Sequence, residues 1–295
     1  MVIKPLLIAA AFLGSTFSFG TILPENNLHL EDNLAITSNI TQDDFFDIIE
    51  KVEDYYKPVV ATHGGNLRIE KRWLENTVNA YALRRDHHWI VSMFGGLARR
   101  PEVTPDGFML VVCHELGHHL AGFPFAKDWA SNEGQSDFFA TQVCAKNMWK
   151  DDVETNALSR DSINPTAKDT CDAVYSDEAD QNLCYRSANA GKSLATLLAV
   201  LNKQVDPAFE TPDTSSVSKT YDKHPEAQCR LDTYVNGALC TTEFDDFYIP
   251  GLKYGKWHEK KKAEKDSIKY SCSQKNSDHV LSQRPKCWFN QTTKG

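Results

Sequence analysis

Cys113-His114-Glu115-Leu116-Gly117-His118-His119-Leu120-Ala121-Gly122 is the stretch on which the reading of this chain turns. On a helix, His114 and His118 lie four positions apart on one face, so their imidazoles can converge on a single metal ion. Glu115 is turned aside from that face, too far around the helix to bind with both imidazoles yet close enough to take a proton from a water between them. The flanks predict the helix. Thr104 suits the N-cap, Pro105 the first helical position, Asp106 the positive end and Gly122 the stop. Phe108, Val111, Val112, Leu116 and Leu120 give it an apolar stripe, so the histidines belong to a buried helix.

A zinc ion takes about four ligands, and a catalytic site leaves one position to water, whose pKa the metal pulls toward neutrality. The spacing is therefore that of a zinc peptidase with one Zn2+ per chain, Glu115 serving as general base. The third ligand is expected downstream, in Asn132-Glu133-Gly134-Gln135-Ser136-Asp137. Glu133 and Asp137 are one helical turn apart and share a face. Glu133 is the expected ligand, and Asp137 is placed to hydrogen-bond the free nitrogen of a ligating imidazole. The competing reading is a solvated acidic pair favoured by the helix dipole. Another zinc-peptidase pattern puts a glycine and then a histidine at set distances after the second ligand; Ala121 and Pro124 stand there instead. His119 faces away from the metal side, and His87 and His88 read as surface histidines.

Composition narrows the setting. A chain of 295 residues, 41% of them hydrophobic, can bury a full core. Its net charge of -8 leaves no dominant basic face, which argues against a nucleic-acid partner. The one basic cluster, 256–265, is interrupted by Glu259 and Glu264 and reads as a solvated helix or tail. Residues 1–20 carry Lys4, an apolar run from Pro5 to Leu13 and small residues up to Gly20, the layout of a secretory signal peptide cleaved after Ser18 or Gly20. No later stretch approaches a membrane-spanning length, so no integral membrane segment is expected after signal removal. Export to a periplasmic or extracellular compartment makes the eight cysteines an expected disulfide set. Local pairs are expected: Cys171 with Cys184, Cys229 with Cys240, and Cys272 with Cys287. Cys113 reads as structural.

Along the chain, Thr41 and Asp44 open a helix expected to run to about Tyr56. Strand character follows at 66–73, 78–83 and 88–94. An edge strand beside such a site can hold a substrate backbone by strand addition, and 88–94 is the candidate, the alternative being a strand fully paired within its own sheet. Residues 145–184 read as loops and short helices, 185–203 as a helix, and 207–218 as a loop. Tyr221 to Leu231 includes His224-Pro225 and Arg230, with Pro225 suited to the first turn of a helix.

With these blocks in view, the stretch from about Asn79 to Leu231 resembles the gluzincin metallopeptidases, and most nearly the family of the CAAX prenyl proteases, HtpX-like heat-shock proteases and periplasmic BepA-like proteases. The resemblance rests on Asn79-Ala80-Tyr81, His114 to His118, Glu133 with Asp137, and His224-Pro225 with Arg230. It implies an α+β, zincin-like domain, mainly helical with a small sheet, stabilised here by disulfides. It also implies His114, His118 and Glu133 as zinc ligands, Glu115 as base, Asp137 as partner of a ligand histidine, His224 as donor to the oxyanion and Arg230 as support for the acidic helix. The interval from His118 to Glu133 is shorter than in the family, and residues 241–295 have no counterpart in it. The expected plan is a signal peptide at 1–20, a zinc metallopeptidase domain at 21–245 and a C-terminal extension at 246–295. The expected activity is hydrolysis of protein or peptide substrates. The alternative is an envelope quality-control or chaperone-like binding protein with a closed or weakly active metal site.

Overall fold

The computed structural model describes residues 20–24, 26–30, 39–255, 259–272 and 280–292. The expected signal peptide, apart from Gly20, lies outside the described residues. Chain order is β1 (Gly20–Thr21), α1 (Gln42–Thr62), β2 (Asn66–Arg72), β3 (Ala80–Arg85), β4 (His88–Phe94), α2 (Gly95–Ala98), α3 (Pro105–Leu120) and α4 (Glu133–Phe139). A π-helical turn (Ala140–Cys144) then leads into α5 (Ala145–Trp149), α6 (Val153–Leu158), α7 (Pro165–Val174), α8 (Glu178–Asn202), α9 (Ala227–Leu239) and α10 (Lys260–Ser267). The class is α+β: many helices around a four-stranded sheet of order β1-β3-β4-β2.

Helix α1 begins as its sequence predicts. The Thr41 hydroxyl accepts from the Asp44 amide and the Asp44 carboxylate accepts from the Thr41 amide. It runs beyond Tyr56 to Thr62, through Pro58, because Val59 and Val60 continue the buried stripe of Phe45, Ile49, Val52 and Tyr56. Strand β4 is the fully paired alternative and not the candidate edge. It pairs antiparallel with β3 and parallel with β2, and six of its seven residues are buried. Trp89-Ile90-Val91-Ser92-Met93-Phe94 lacks the polar-apolar alternation of a half-exposed strand, which is what a strand covered on both faces requires. The edge of β3 away from β4 carries the two-residue strand β1, antiparallel, with Gly20 opposite Ala82 and Thr21 opposite Tyr81.

The helix of the histidine motif crosses the middle of the core and is buried from Gly107 to Leu120. Thr104 caps it through the Gly107 amide, and Pro105 opens it. Gly122, at φ +76°, turns the chain out just after it. Its first turn is fastened to α8 by Asp106, which accepts from Arg186 Nε at 2.9 Å and Nη2 at 2.7 Å. Helix α8 starts at Glu178, seven residues before the expected Tyr185. Asp177 caps it through the Ala179 and Asp180 amides, so its polar first turns are helix and not loop. Helix α9 starts at Ala227, two residues after Pro225, so that proline precedes the first turn and does not form it.

Four disulfides close the structure: Cys113–Cys144, Cys171–Cys184, Cys229–Cys287 and Cys240–Cys272. The second was expected. Cys229–Cys240 and Cys272–Cys287 are corrected: Cys229 lies in the first turn of α9 and Cys240 caps its end, so a rise of 1.5 Å per residue holds them about 16 Å apart. Both bridges tie the C-terminal residues to α9 and its end. No helix among the described residues is long and apolar enough to cross a membrane.

Candidate metal centre

Helices α3 and α4 build the centre between them. Gly117 allows them to close, since a Cβ there would stand 2.9 Å from Ser136 Cα. The Cys113–Cys144 bridge fastens α3 to the π-helical turn that continues α4. Asn132 caps α4 through the Gln135 amide, which places Glu133 at the first helical position. Trp288 lies against Gly134, where any Cβ would meet its ring, and donates from Nε1 to Thr233 Oγ1 at 3.0 Å. The C-terminal segment therefore backs the turn that carries Glu133.

The three expected ligands come together. His114 and His118 offer Nε2 and Glu133 a carboxylate oxygen, all within 4.8 Å of one another. Glu133 Oε2 is 3.3 Å from His114 Nε2, and Oε1 is 3.7 Å from His118 Nε2. His114 Nε2, His118 Nε2 and Glu133 Oε2 are buried and have no hydrogen-bond partner. Three converging atoms left bare in a place without solvent are costly unless one cation satisfies all of them, and two imidazoles with one carboxylate are a zinc donor set. The residues present fit the metal. The other such group among the described residues, Asp213 with Cys229 and Cys287, has both sulfurs in a disulfide and offers no ligand set.

Each imidazole is oriented through its other nitrogen. His114 Nδ1 donates to Asp137 Oδ1 at 2.7 Å, and His118 Nδ1 donates to the Ser131 carbonyl at 2.9 Å. Asp137 is the hub. It accepts from Arg230 Nε at 2.7 Å and Nη2 at 2.6 Å, and from the Tyr234 hydroxyl at 2.6 Å. Burial alone would raise the Asp137 carboxyl, but Arg230, with His114, holds it below the usual range. Burial likewise opposes charge on His114, yet Asp137 and Glu133 push its pKa up to about 9. His118 has no such anion at Nδ1, and burial takes it down to about 4. Burial disfavours the charged form of Glu133, but His118 and His224 outweigh it and keep the group well below the carboxylate range.

Glu115 is fully buried, with neither oxygen hydrogen-bonded. Burial pushes its pKa up to about 8, so the group is poised for proton exchange near neutrality. His224 is brought in from the loop before α9, its Nε2 3.4 Å from Glu133 Oε2. His119, as expected, is elsewhere. It is stacked between Trp89 and Trp129, with Nε2 donating to the Ile90 carbonyl at 3.3 Å. His87 is exposed and His88 half-buried, both away from the centre.

Sequence reasoning did not find Tyr234, Ser131 or the segment 20–23. Tyr234 carried a usable signal, since it sits four residues after Arg230 and so on the same helical face. Ser131 acts through its backbone carbonyl, which no residue pattern marks. Compared with protein-family models, curated proteins and solved structures, the chain matches none.

Proposed function

We propose that the chain is an exported zinc endopeptidase of zincin-like architecture, hydrolysing peptide bonds in protein substrates. The observation that carries the reading is the set of bare, buried, converging atoms on His114, His118 and Glu133 beside a Glu115 carboxylate that makes no hydrogen bond. Ligands alone would serve a structural ion. A buried, unbonded acid placed next to them has no structural use and a clear chemical one.

Zinc bound there would supply Lewis acidity, polarising a peptide carbonyl and making water a nucleophile near neutral pH. Glu115 takes the proton from that water and passes it to the departing amine. Asp137, held by Arg230 and Tyr234, fixes the tautomer and direction of His114. His224 Nε2 donates toward a carbonyl oxygen at the centre, where charge develops as the carbonyl is attacked. Export is supported by four disulfides, the chemistry of an oxidising compartment, together with the signal-like residues 1–20.

The test is hydrolysis of an unfolded model protein with zinc content determined on the same sample, for the chain and for Glu115→Gln. The expected result is one zinc per chain in both and cleavage only in the first. Loss of zinc from Glu115→Gln would remove the base assignment. One observation favours a second reading, a binding protein with a closed site: His114 and Glu115 have no exposure, and His118 has 1%. Bound zinc with no cleavage under any condition selects that reading.

A further inference from the structure

A centre this deeply buried has to open before any substrate can reach it, and the described residues show what covers it. Strand β1 and the two residues after it, Gly20 to Leu23, lie along the outer edge of β3 and across the ligands. The Thr21 carbonyl accepts from His224 Nε2 at 2.7 Å, and the Ile22 carbonyl accepts from Arg230 Nη1 at 2.7 Å. Gly20 rests on His118 so closely that a Cβ would stand 2.6 Å from the ring. The Ile22 amide makes a long hydrogen bond, 3.4 Å, to the Ala80 carbonyl. Ile22 and Leu23 are 0% and 2% exposed.

These contacts are those of an extended peptide being presented. A backbone is added antiparallel to a sheet edge, and one of its carbonyls meets the donor assigned to a developing oxyanion. A strand needed only to finish the sheet would not place its carbonyl on His224 or require glycine over a ligand. We infer that Gly20–Leu23 is a built-in inhibitor occupying the substrate's place, with the Thr21–Ile22 peptide group at the reacting position. As an inhibitor it rests on the peptidase reading; as an occupant of the cleft it does not. Its shape also defines the substrate class: an unfolded, extended segment with glycine over His118 and branched aliphatic residues in the two positions after the attacked carbonyl.

The test compares the zinc-loaded chain with Ile22→Asp, which puts a charge where Ile22 is buried. Three quantities are read: the rate at which a chelator strips zinc, hydrogen exchange of the amides at 21–23, and hydrolysis of an unfolded protein. Freed of its cover, the variant should lose zinc about tenfold faster, since exchange no longer waits for local opening. A synthetic peptide Gly-Thr-Ile-Leu-Pro, matching 20–24, should restore the slow rate and suppress hydrolysis. Faster zinc loss reversed by the peptide, without hydrolysis by either chain, supports the occupant and sinks the peptidase reading alone. Equal zinc-loss rates in a folded variant overturn the inference even if hydrolysis is found. Should the variant not fold, the unmodified chain decides: protected amides at 21–23 and competition by the peptide support the strand, and unprotected amides overturn it.

Discussion

Replacing Arg230 by Met keeps most of the buried stem and removes the charge on which the centre leans. Arg230 is 1% exposed and makes two charge-assisted bonds to Asp137, at 2.6 and 2.7 Å, besides the one to the Ile22 carbonyl. In Arg230→Met the Asp137 carboxylate, wholly buried, keeps only His114 and the Tyr234 hydroxyl. Breaking one side of a buried pair costs about 3–5 kcal/mol, most of it the penalty of the charge left behind. With a denaturant slope of about 2–3 kcal/mol/M, the urea midpoint falls by roughly 1–2.5 M. The assay is urea unfolding in a chelator, disulfides intact, so that bound metal does not add its own stabilisation. Asp137→Asn alone should also be costly, leaving the guanidinium unpaired. The double variant should lose less than the sum of the two by about 2 kcal/mol, because neither charge is then stranded. Additive losses, or a loss below about 1 kcal/mol in Arg230→Met, would refute the reasoning that Asp137 and Arg230 act as one buried unit.

Gly117→Val should cut zinc affinity at least about tenfold with the chain still folded, since α3 and α4 could no longer approach to bring Glu133 to the imidazoles; calorimetric zinc titration checks it. The Cys229→Ser, Cys287→Ser pair opens a loop of 58 residues and should lower stability by about 4 kcal/mol in denaturant unfolding. Because this bridge anchors the turn before Arg230, zinc affinity should fall with it. Lys146 donates to the Cys240 carbonyl at 2.6 Å and the Tyr175 hydroxyl at 3.0 Å, and burial takes its pKa from 10.5 to about 8 against the pull of Asp180. The folded chain then binds fewer protons than the unfolded one between those values. Stability relative to Lys146→Met should therefore rise from pH 8 to 10.5, by up to about 3 kcal/mol, and a falling difference would contradict it.

The sequence could be read where short range decided the outcome. Thr104, Pro105 and Gly122 bound the motif helix within its own turns, and the four-residue spacings of His114 with His118 and of Glu133 with Asp137 fixed which side chains share a face. The Cys171–Cys184 bridge falls in the same class, thirteen residues apart and joining two consecutive helices. The pairs that were misread are tertiary. Cys229 and Cys240 are close in sequence but held apart by the stiffness of α9, while Cys287 arrives from 58 residues away. Strand β4 left two readings open, an edge or a strand paired on both sides, and its unbroken apolar run favours the second, which the sheet shows.

The strand over the centre belongs to a harder kind. Two residues have no periodicity, and Gly20 reads as the last residue of a signal sequence while Thr21 reads as the start of an extended, polar stretch. What gives it meaning is an edge of β3 left open by the rest of the sheet, and donors on His224 and Arg230 that reach it across more than 200 residues of chain. The expected signal peptide thus ends at Gly20, where the strand begins. Cleavage after Ser18 leaves the strand whole, and cleavage after Gly20 removes the residue that rests on His118. If the strand is the inhibitor, the place of such a cut would set how firmly the centre is covered. A chain beginning at Thr21 should then strip its zinc faster than one beginning at Phe19.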